Sequence, residues 1–318
     1  MMRNKLFWPI SVVNGLALTA LWFWTERYGE YHWLATILAY IPQHAYGVPV
    51  LLLLLWAFRQ STFLGIIGNL IVMTGFLLTF MGFNIPKSNT ASSKPMLRFV
   101  TYNLHQDGSA IATLKRLNPD IVVLQESRDV NGLLNDLRTA FPNFSVQHEY
   151  ELTTISRFPI RDTRVYRLPK NRRPLLEVTL DVNGKAVHVV NLHYTTLDFQ
   201  GLASRNTNTA DRINKNALVR LGMTKVLLGL DQKTPLLIGG DFNTTPRGAM
   251  YSSLRHRYQN AFEQAGWGFG FTYNSRLPVI RIDHIWFNSR FRATRAFAVN
   301  DQASDHRPFV TNLELLGK

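Results

Sequence analysis

At six places in this chain a residue carrying a carboxylate, amide or imidazole stands where an apolar strand candidate stops. Asn103 follows FVTY, and Glu126 follows IVVLQ. Asn191 and His193 follow VHVV, and Asp241 and Asn243 follow LLIGG. Asp283 lies inside RIDHIWF, while Ser304, Asp305 and His306 open the last strand candidate. A strand end places its side chain on the rim of a sheet, within reach of a ligand. These residues read together as one site for cleaving a phosphate ester. A hard divalent cation takes oxygen ligands, with Glu126 as the main carboxylate and Asn103 and Asp305 near the same ion. Such an ion neutralises phosphate charge and stabilises the leaving oxygen. His306 oriented by Asp283 suits the activation of water or the stabilisation of developing charge. Asp241 would orient the attacking water, with Asn243 and His193 donating hydrogen bonds to non-bridging oxygens.

Each piece alone has a plainer reading. GGDFN could be a strand-to-turn junction, SDH a cap, and QE a solvated edge. A lone His193 reads as a satisfied buried histidine, and His105, His188 and His284 are assigned structural roles. The weight rests on all the pieces occurring in one chain.

The elements that must position these residues begin near residue 96. LRFVTYNL, DIVVLQE, FSVQHEY, LTTISRF, TRVYRL, PLLEVTLDV, KAVHVVNLH, PLLIGGDF, RIDHIWF, TRAFAV and RPFVTNLEL read as strands. SAIATLKRLN, VNGLLNDLRTAF and a long stretch over residues 212–230 have helical spacing. That alternation predicts two packed sheets flanked by helices, a four-layer α/β sandwich over residues 96–318.

The preceding residues have another character. Of 318 residues 18% are charged, yet residues 1–84 hold only Arg3, Lys5, Glu26, Arg27, Glu30 and Arg59. Three stretches near 6–25, 33–58 and 61–84 are long and apolar enough to predict transmembrane helices. Pro42, Gln43 and His44 interrupt the second, so it is one kinked span or an interfacial piece followed by a helix on VPVLLLLLWAF. Trp22, Trp24, Tyr28, Tyr31 and Trp33 suit a membrane–water interface. A cleaved signal peptide is disfavoured by the length of the first core and by the two apolar segments that follow it. Residues 85–95, rich in Ser and Pro, read as a linker. Cysteine is absent, which excludes thiolate metal sites, disulfides and a cysteine nucleophile. The net charge of +14 favours an anionic partner: nucleic acid, a phosphorylated metabolite or anionic lipid.

FVTYNLH, PDIVVLQE, SRFPI, VVNLHYTT, LIGGDFNTTP, RIDHIWF and SDHRPFV stand in the order of the endonuclease/exonuclease/phosphatase superfamily, which residues 96–318 therefore resemble. The resemblance implies the four-layer sandwich, Mg²⁺ dependence with Mn²⁺ as a substitute, and phosphoester hydrolysis. Asn103, Glu126, His193, Asp241, Asn243, Asp283, Asp305 and His306 match its motif positions one by one. His193 looks like the sphingomyelinase and deoxyribonuclease-I type, and the multispan anchor resembles a bacterial membrane-bound branch.

Three functions compete. A membrane-tethered phosphoesterase would act on a lipid-linked phosphate or pyrophosphate, with Lys170, Arg172 and Arg173 in one loop, and Arg205, Arg212 and Lys215 before and along the long helix, able to hold phosphates. A membrane-anchored nuclease would use the same basic residues on a phosphate backbone. A silent scaffold would lack a metal or histidine position, and none is missing. The leading flank of the first helix has Arg3 and Lys5 without an acid, whereas Glu26, Arg27 and Glu30 trail it. This predicts the N-terminus in the cytoplasm and residues 96–318 outside it, and the resemblance implies that the membrane is a bacterial inner membrane. There lipid-linked phosphates are at hand and nucleic acid is scarce, so the lipid-linked substrate is favoured.

Overall fold

The computed structural model describes residues 5–87, 96–169, 171–197 and 208–316. The N-terminal part holds four helices: α1 (Phe7–Tyr28), α2 (Trp33–Tyr40), α3 (His44–Arg59) and α4 (Phe63–Thr79). Among the described residues, α1 alone is long and apolar enough to cross a membrane by itself. α2 and α3 pass the same test as a pair, bent by 67° where residues 41–43 break the helix. Pro42 accounts for the break, because it cannot continue the hydrogen-bond ladder.

α1, α3 and α4 run up, down and up. Phe7 at the start of α1 meets Trp56 near the end of α3, with ring centroids 5.4 Å apart. A Cβ on Gly65, near the start of α4, would sit 2.8 Å from the Phe7 ring, and one on Gly47, near the start of α3, 2.7 Å from Phe76 near the end of α4. These two glycines permit close helix approach. Gly68 and Gly75 face open space. The bundle leaves Val12, Val13, Leu16, Phe23, Leu51, Leu52, Leu55, Leu64 and Ile71 exposed, an apolar belt that water would not tolerate cheaply. α2 does not continue the bundle. Its Ala39 and Tyr40 pack with Leu197, Ile213 and Ala217 of the downstream domain.

That domain contains two six-stranded mixed sheets. In chain order its elements are β1 (Met96–Asn103), α5 (Ala110–Leu117), β2 (Ile121–Gln125), α6 (Leu133–Ala140), β3 (Ser145–Glu149), β4 (Leu152–Ser156), β5 (Ile160–Tyr166), β6 (Leu175–Val182), β7 (Lys185–His193) and α7 (Thr209–Leu228). They continue with β8 (Leu236–Asp241), α8 (Gly248–Arg257), β9 (Gln259–Asn260), α9 (Ala261–Ala265), β10 (Asp283–Phe287), β11 (Phe291–Ala298) and β12 (Phe309–Leu315). The sheets run β11-β12-β1-β2-β4-β3 and β5-β6-β7-β8-β10-β9. Each has one parallel pair at its centre, β1 with β2 and β7 with β8.

Strand alternation builds four layers. Phe99, Val123, Val189, Leu237 and Ile285 share the core between the sheets. Their neighbours turn outward, Val100 and Val122 onto α5 and α6, and Val190, Ile238 and Trp286 onto α7 and α8. Asn191 also works between the sheets, donating to the carbonyls of Leu124 (3.0 Å) and Thr153 (3.1 Å) and accepting from Gln125. It stitches the fold and is not on the rim. The GG pair of β8 has a packing cause. A Cβ on Gly239 would lie 2.7 Å from the Phe99 ring, and one on Gly240 would strike the Leu192 carbonyl.

The segment read as a linker is anchored at its start. Asn84 exchanges backbone hydrogen bonds with Gly268 (2.8 and 3.0 Å), and its side chain donates to the carbonyls of Phe262 and Gly266. Residues 88–95 lie outside the described ones.

Candidate active site

Strand register brings three of the sequence candidates into one row. On the parallel β7–β8 pair His193 stands opposite Asp241, and on the antiparallel β8–β10 pair Asp241 stands opposite Asp283. The other sheet contributes Asn103 at the end of β1, opposite Gln125, with Glu126 one residue beyond. Pairing of β1 with β12 returns residues 304–306 to the same edge, where the Ser304 hydroxyl donates to the Asn103 carbonyl at 2.8 Å. His105, Glu126 and Asn243 all have positive φ, at 48°, 50° and 46°. Such backbone is uncommon outside glycine and clusters at functional sites.

The side chains converge. Asn103 Nδ2 donates to Glu126 Oε1 at 3.3 Å and to Asp241 Oδ2 at 3.2 Å, so one amide links the two sheets. His306 Nδ1 donates to Asp283 Oδ2 at 2.8 Å, and its Nε2 lies 3.7 Å from Asp241 Oδ2. His193 Nε2 is 3.3 Å from Asp241 Oδ2 and 3.9 Å from Glu126 Oε1. Asn243 holds Asp241 twice, by its backbone N–H at 2.8 Å and its side-chain amide at 3.3 Å. That amide also donates to the Tyr194 carbonyl at 2.9 Å. Its hydrogens are thus already engaged, and Asn243 serves as a brace for Asp241 where the sequence suggested a direct phosphate contact.

Burial and pairing set the charges. Burial alone would push the His306 imidazole down, but Asp283 and Asp241 beside it hold it above its ordinary value. For His193 the same opposition runs between burial and the carboxylates of Asp241 and Glu151, and again the carboxylates win. Burial would raise Asp241, yet His306 and His193 keep it well below the usual carboxylate range. Burial raises Asp283 in spite of His306. The row therefore combines two imidazoles and two carboxylates of unequal acidity, an arrangement suited to moving a proton.

Oxygen donors for a hard cation stand at the solvent side. The side chains of Glu126 and Asp305 are partly exposed, at 24% and 38%, and both approach His105 Nδ1, at 3.4 and 3.8 Å. With the Asn103 amide beside Glu126, these carboxylates fit a divalent ion that keeps several waters. Deeper in, Asp241, Asp283 and His306 offer ligand atoms within 4.8 Å of one another, the one such set among the described residues. Asp283 Oδ1 has no hydrogen-bond partner there.

Two neighbours, Glu151 and Tyr273, escaped the sequence reading, and Arg173, expected to hold phosphate from its loop, lies instead behind His193. Glu151, buried in the turn between β3 and β4, lies 3.0 Å behind His193 Nδ1, as a charge contact rather than a well-aligned hydrogen bond. Arg173 sits 3.0 Å from the same carboxylate and donates to the Tyr194 carbonyl at 2.9 Å, so it braces His193 from behind. Tyr273 stacks obliquely on His306, 5.0 Å between ring centroids. His105, read as structural, is exposed beside Glu126 and Asp305. Arg172 is exposed on its loop, Arg212 lies in the first turn of α7, and Lys170 and Arg205 fall outside the described residues. His284 is structural as read, buried with Nε2 at 2.8 Å from the Thr244 carbonyl and held neutral by burial.

The profile of the Endonuclease/Exonuclease/phosphatase family matches residues 100–306, almost the whole two-sheet domain. The chain belongs to this family. It is thereby a metal-dependent hydrolase of phosphoester bonds, and the acidic and imidazole cluster agrees with that chemistry. Solved structures share the frame. A family protein from Beutenbergia cavernae DSM 12333 is 21% identical, with a TM-score of 0.56 over 70% of this chain and 72% of that one. The mannosyl-6-phosphatase of Bacteroides thetaiotaomicron VPI-5482 is 17% identical, with a TM-score of 0.53 over 69% and 100%. D. rerio TDP2, solved with a single-strand DNA product, is 14% identical, with a TM-score of 0.53 over 70% and 100%. At such identities the likeness carries the fold and leaves the substrate open. No curated protein sequence matches the chain.

Proposed function

We propose that this family member is a membrane-anchored, Mg²⁺-dependent hydrolase of a lipid-linked phosphate or pyrophosphate. The observation that carries the reading is where the apolar helices dock. Tyr40, Ala39 and Gln43, around the α2–α3 break, contact Thr244, Thr245 and Arg247, only three to six residues beyond Asp241. An anchor on a free tether could leave the site anywhere. A docked anchor of this kind would set it beside the bilayer edge, where a substrate with an apolar tail is concentrated. The up–down–up course of α1, α3 and α4 is read as three crossings, although α3 and α4, at 16 and 17 residues, are shorter than the full span that α1 provides; this puts the N-terminus in the cytoplasm and the catalytic domain across the inner membrane from it.

Glu126, Asp305 and Asn103 would hold the Mg²⁺ ion, for which Mn²⁺ substitutes. When bound, it neutralises phosphate charge and stabilises the leaving oxygen. Asp241, braced by Asn243, orients the attacking water. His306 commits Nδ1 to Asp283, which leaves Nε2 for the water or the phosphate. His193, backed by Glu151 and Arg173, donates from Nε2 to a non-bridging oxygen. Arg172, Arg205 and Arg212 remain candidates for holding the remainder of an anionic substrate.

The test is topological. The chain lacks cysteine, so Lys185→Cys, at the exposed start of β7, is a single reporter. A membrane-impermeant maleimide should label it in spheroplasts without lysis. Labelling only after lysis would place the domain in the cytoplasm and favour a nuclease acting on DNA or RNA.

A further inference from the structure

Behind the catalytic rim, the turn that follows β8 is gripped by residues from the far end of the sequence. Tyr40, the last residue of α2, is buried, and its hydroxyl meets Glu30 Oε1 at 3.0 Å, the Thr244 hydroxyl and an amino group of Arg220. Arg220, fully buried on α7, gives the same Nη2 to the carbonyls of Asn243 (2.8 Å) and Phe242 (3.4 Å). Glu30 Oε2 accepts the Met250 N–H at 3.2 Å. The Thr245 hydroxyl donates to the Ala39 carbonyl at 2.9 Å. Arg247 donates to Gln43 Oε1 at 2.9 Å, to the Thr79 carbonyl at 3.0 Å and to the Phe80 carbonyl.

Residues 242–247 are therefore held, directly or through Arg220, by the segment that precedes the domain. Asp241 is the residue immediately before them, and Asn243 is one of them. Stability alone does not account for this network. A buried ion generally costs more in desolvation than it returns, and an apolar contact of the same volume docks a helix as well or better. Two nitrogens of Arg220, Nε and Nη1, are buried without a hydrogen-bond partner, a further cost. What such a network gives is a defined position for the backbone it touches.

We propose that the N-terminal segment is part of the active-site scaffold: Tyr40, with Glu30 and Arg220, is a positioning residue that fixes the 242–245 turn and thereby Asp241 and Asn243. The inference rests on the hydrolase reading above. It makes the anchor a component of catalysis as well as of location, and a domain cut free at residue 96 would lose turnover even on a soluble ester.

The test uses the full-length protein in detergent micelles, with bis(4-nitrophenyl) phosphate and Mg²⁺ or Mn²⁺ as the probe. Tyr40→Phe removes only the hydroxyl that joins Glu30, Thr244 and Arg220. Tyr46→Phe removes a hydroxyl that donates to the Leu38 carbonyl (3.1 Å) inside the same anchor and forms no hydrogen bond with the 242–245 turn. Tyr40→Phe should lower kcat by about tenfold to a hundredfold, as small misplacements of a catalytic group do, with KM within about twofold. Tyr46→Phe should leave both within about twofold. Amide exchange at Phe242 and Asn243 in the same proteins should quicken in Tyr40→Phe alone, and it decides the matter even where this ester is not turned over. Wild-type kcat and unchanged exchange in Tyr40→Phe overturn the inference, as does an equal fall in Tyr46→Phe. His306→Ala separates the two layers. If it is inactive while Tyr40→Phe is fully active, only the scaffold role fails. If both are fully active, the hydrolase site itself is misassigned.

Discussion

Two buried polar clusters flank the end of β8, and they are built from different chemistry. On the rim side, Asp241, Asp283, His193 and His306 pair acids with imidazoles and leave valences open. Asp283 Oδ1 is unpartnered, and Glu126 and Asp305 face solvent. On the anchor side, Arg220 and Arg247 donate to the carbonyls of Phe242, Asn243, Thr79 and Phe80, and to the Tyr40 hydroxyl and the Gln43 side chain. Guanidinium groups do not give up a proton, so they position the backbone and side chains they touch without exchanging protons. The contrast separates groups poised to exchange protons from groups that keep them in place. Variants on the two sides should consequently fail in different ways.

The largest effect belongs to the rim. His306→Ala should cost about 10²–10⁴-fold in turnover, the range of a lost general acid or base, with the fold intact by circular dichroism. Asp283→Asn should cost less, and the double variant little more than His306→Ala, because the two act as a unit. Strictly additive losses would mean that the 2.8 Å contact between them has no part in the reaction.

Next in size is the cation. Glu126→Gln keeps volume and removes the charge that a hard ion needs. Its Mg²⁺ titration midpoint should rise by about a hundredfold or more, since even residues behind the ligands are worth about 10–100-fold. An unmoved midpoint, followed by activity or by direct Mn²⁺ binding, would exclude Glu126 from the metal site.

How much of this was legible in the chain follows from the kind of contact involved. His193, Asp241, Asp283 and His306 were readable because strand ends and apolar runs mark them locally, and register then brings them together. The Asp283–His306 pair was inferred from chemical complementarity alone. Glu151 was not readable, because it meets His193 only when β4 packs across from β7, and no local pattern marks a turn residue for that. Pro42 signalled the break after α2, yet nothing in its spacing showed that Tyr40 would dock on Thr244, 204 positions away. Asn243 was legible in place, but its engagement with Tyr194 was not, because that depends on the turn that follows β8.

The smallest effect sharpens the contrast with an imidazole–carboxylate pair that has no reacting partner. His188 and Glu177 are hydrogen-bonded on the β6–β7 face. The hydrogen bond to Glu177 raises His188 above its ordinary 6.5 against partial burial. Burial would raise Glu177, but His188 and Tyr166 hold it below 4.5. A raised histidine stabilises fully below 6.5 and loses that contribution as pH rises through its folded value. A lowered glutamate stabilises above 4.5 and loses it as pH falls. The pair is therefore worth most between pH 4.5 and 6.5. His188→Gln should lower stability by no more than about 1 kcal/mol near pH 6, given the solvent around the ring, and by less at pH 9, with kcat unchanged. A pH-independent loss would show that packing, not charge, sets its role.

The most direct test of the account is product analysis. Full-length protein in native membranes would be incubated with Mg²⁺ and a mixed bacterial lipid extract and, separately, with plasmid DNA and RNA. The account predicts release of phosphate or a phosphorylated headgroup from the lipid fraction, abolished by EDTA and by Glu126→Gln, with nucleic acid left intact. Metal-dependent cleavage of DNA or RNA with no lipid product would contradict it.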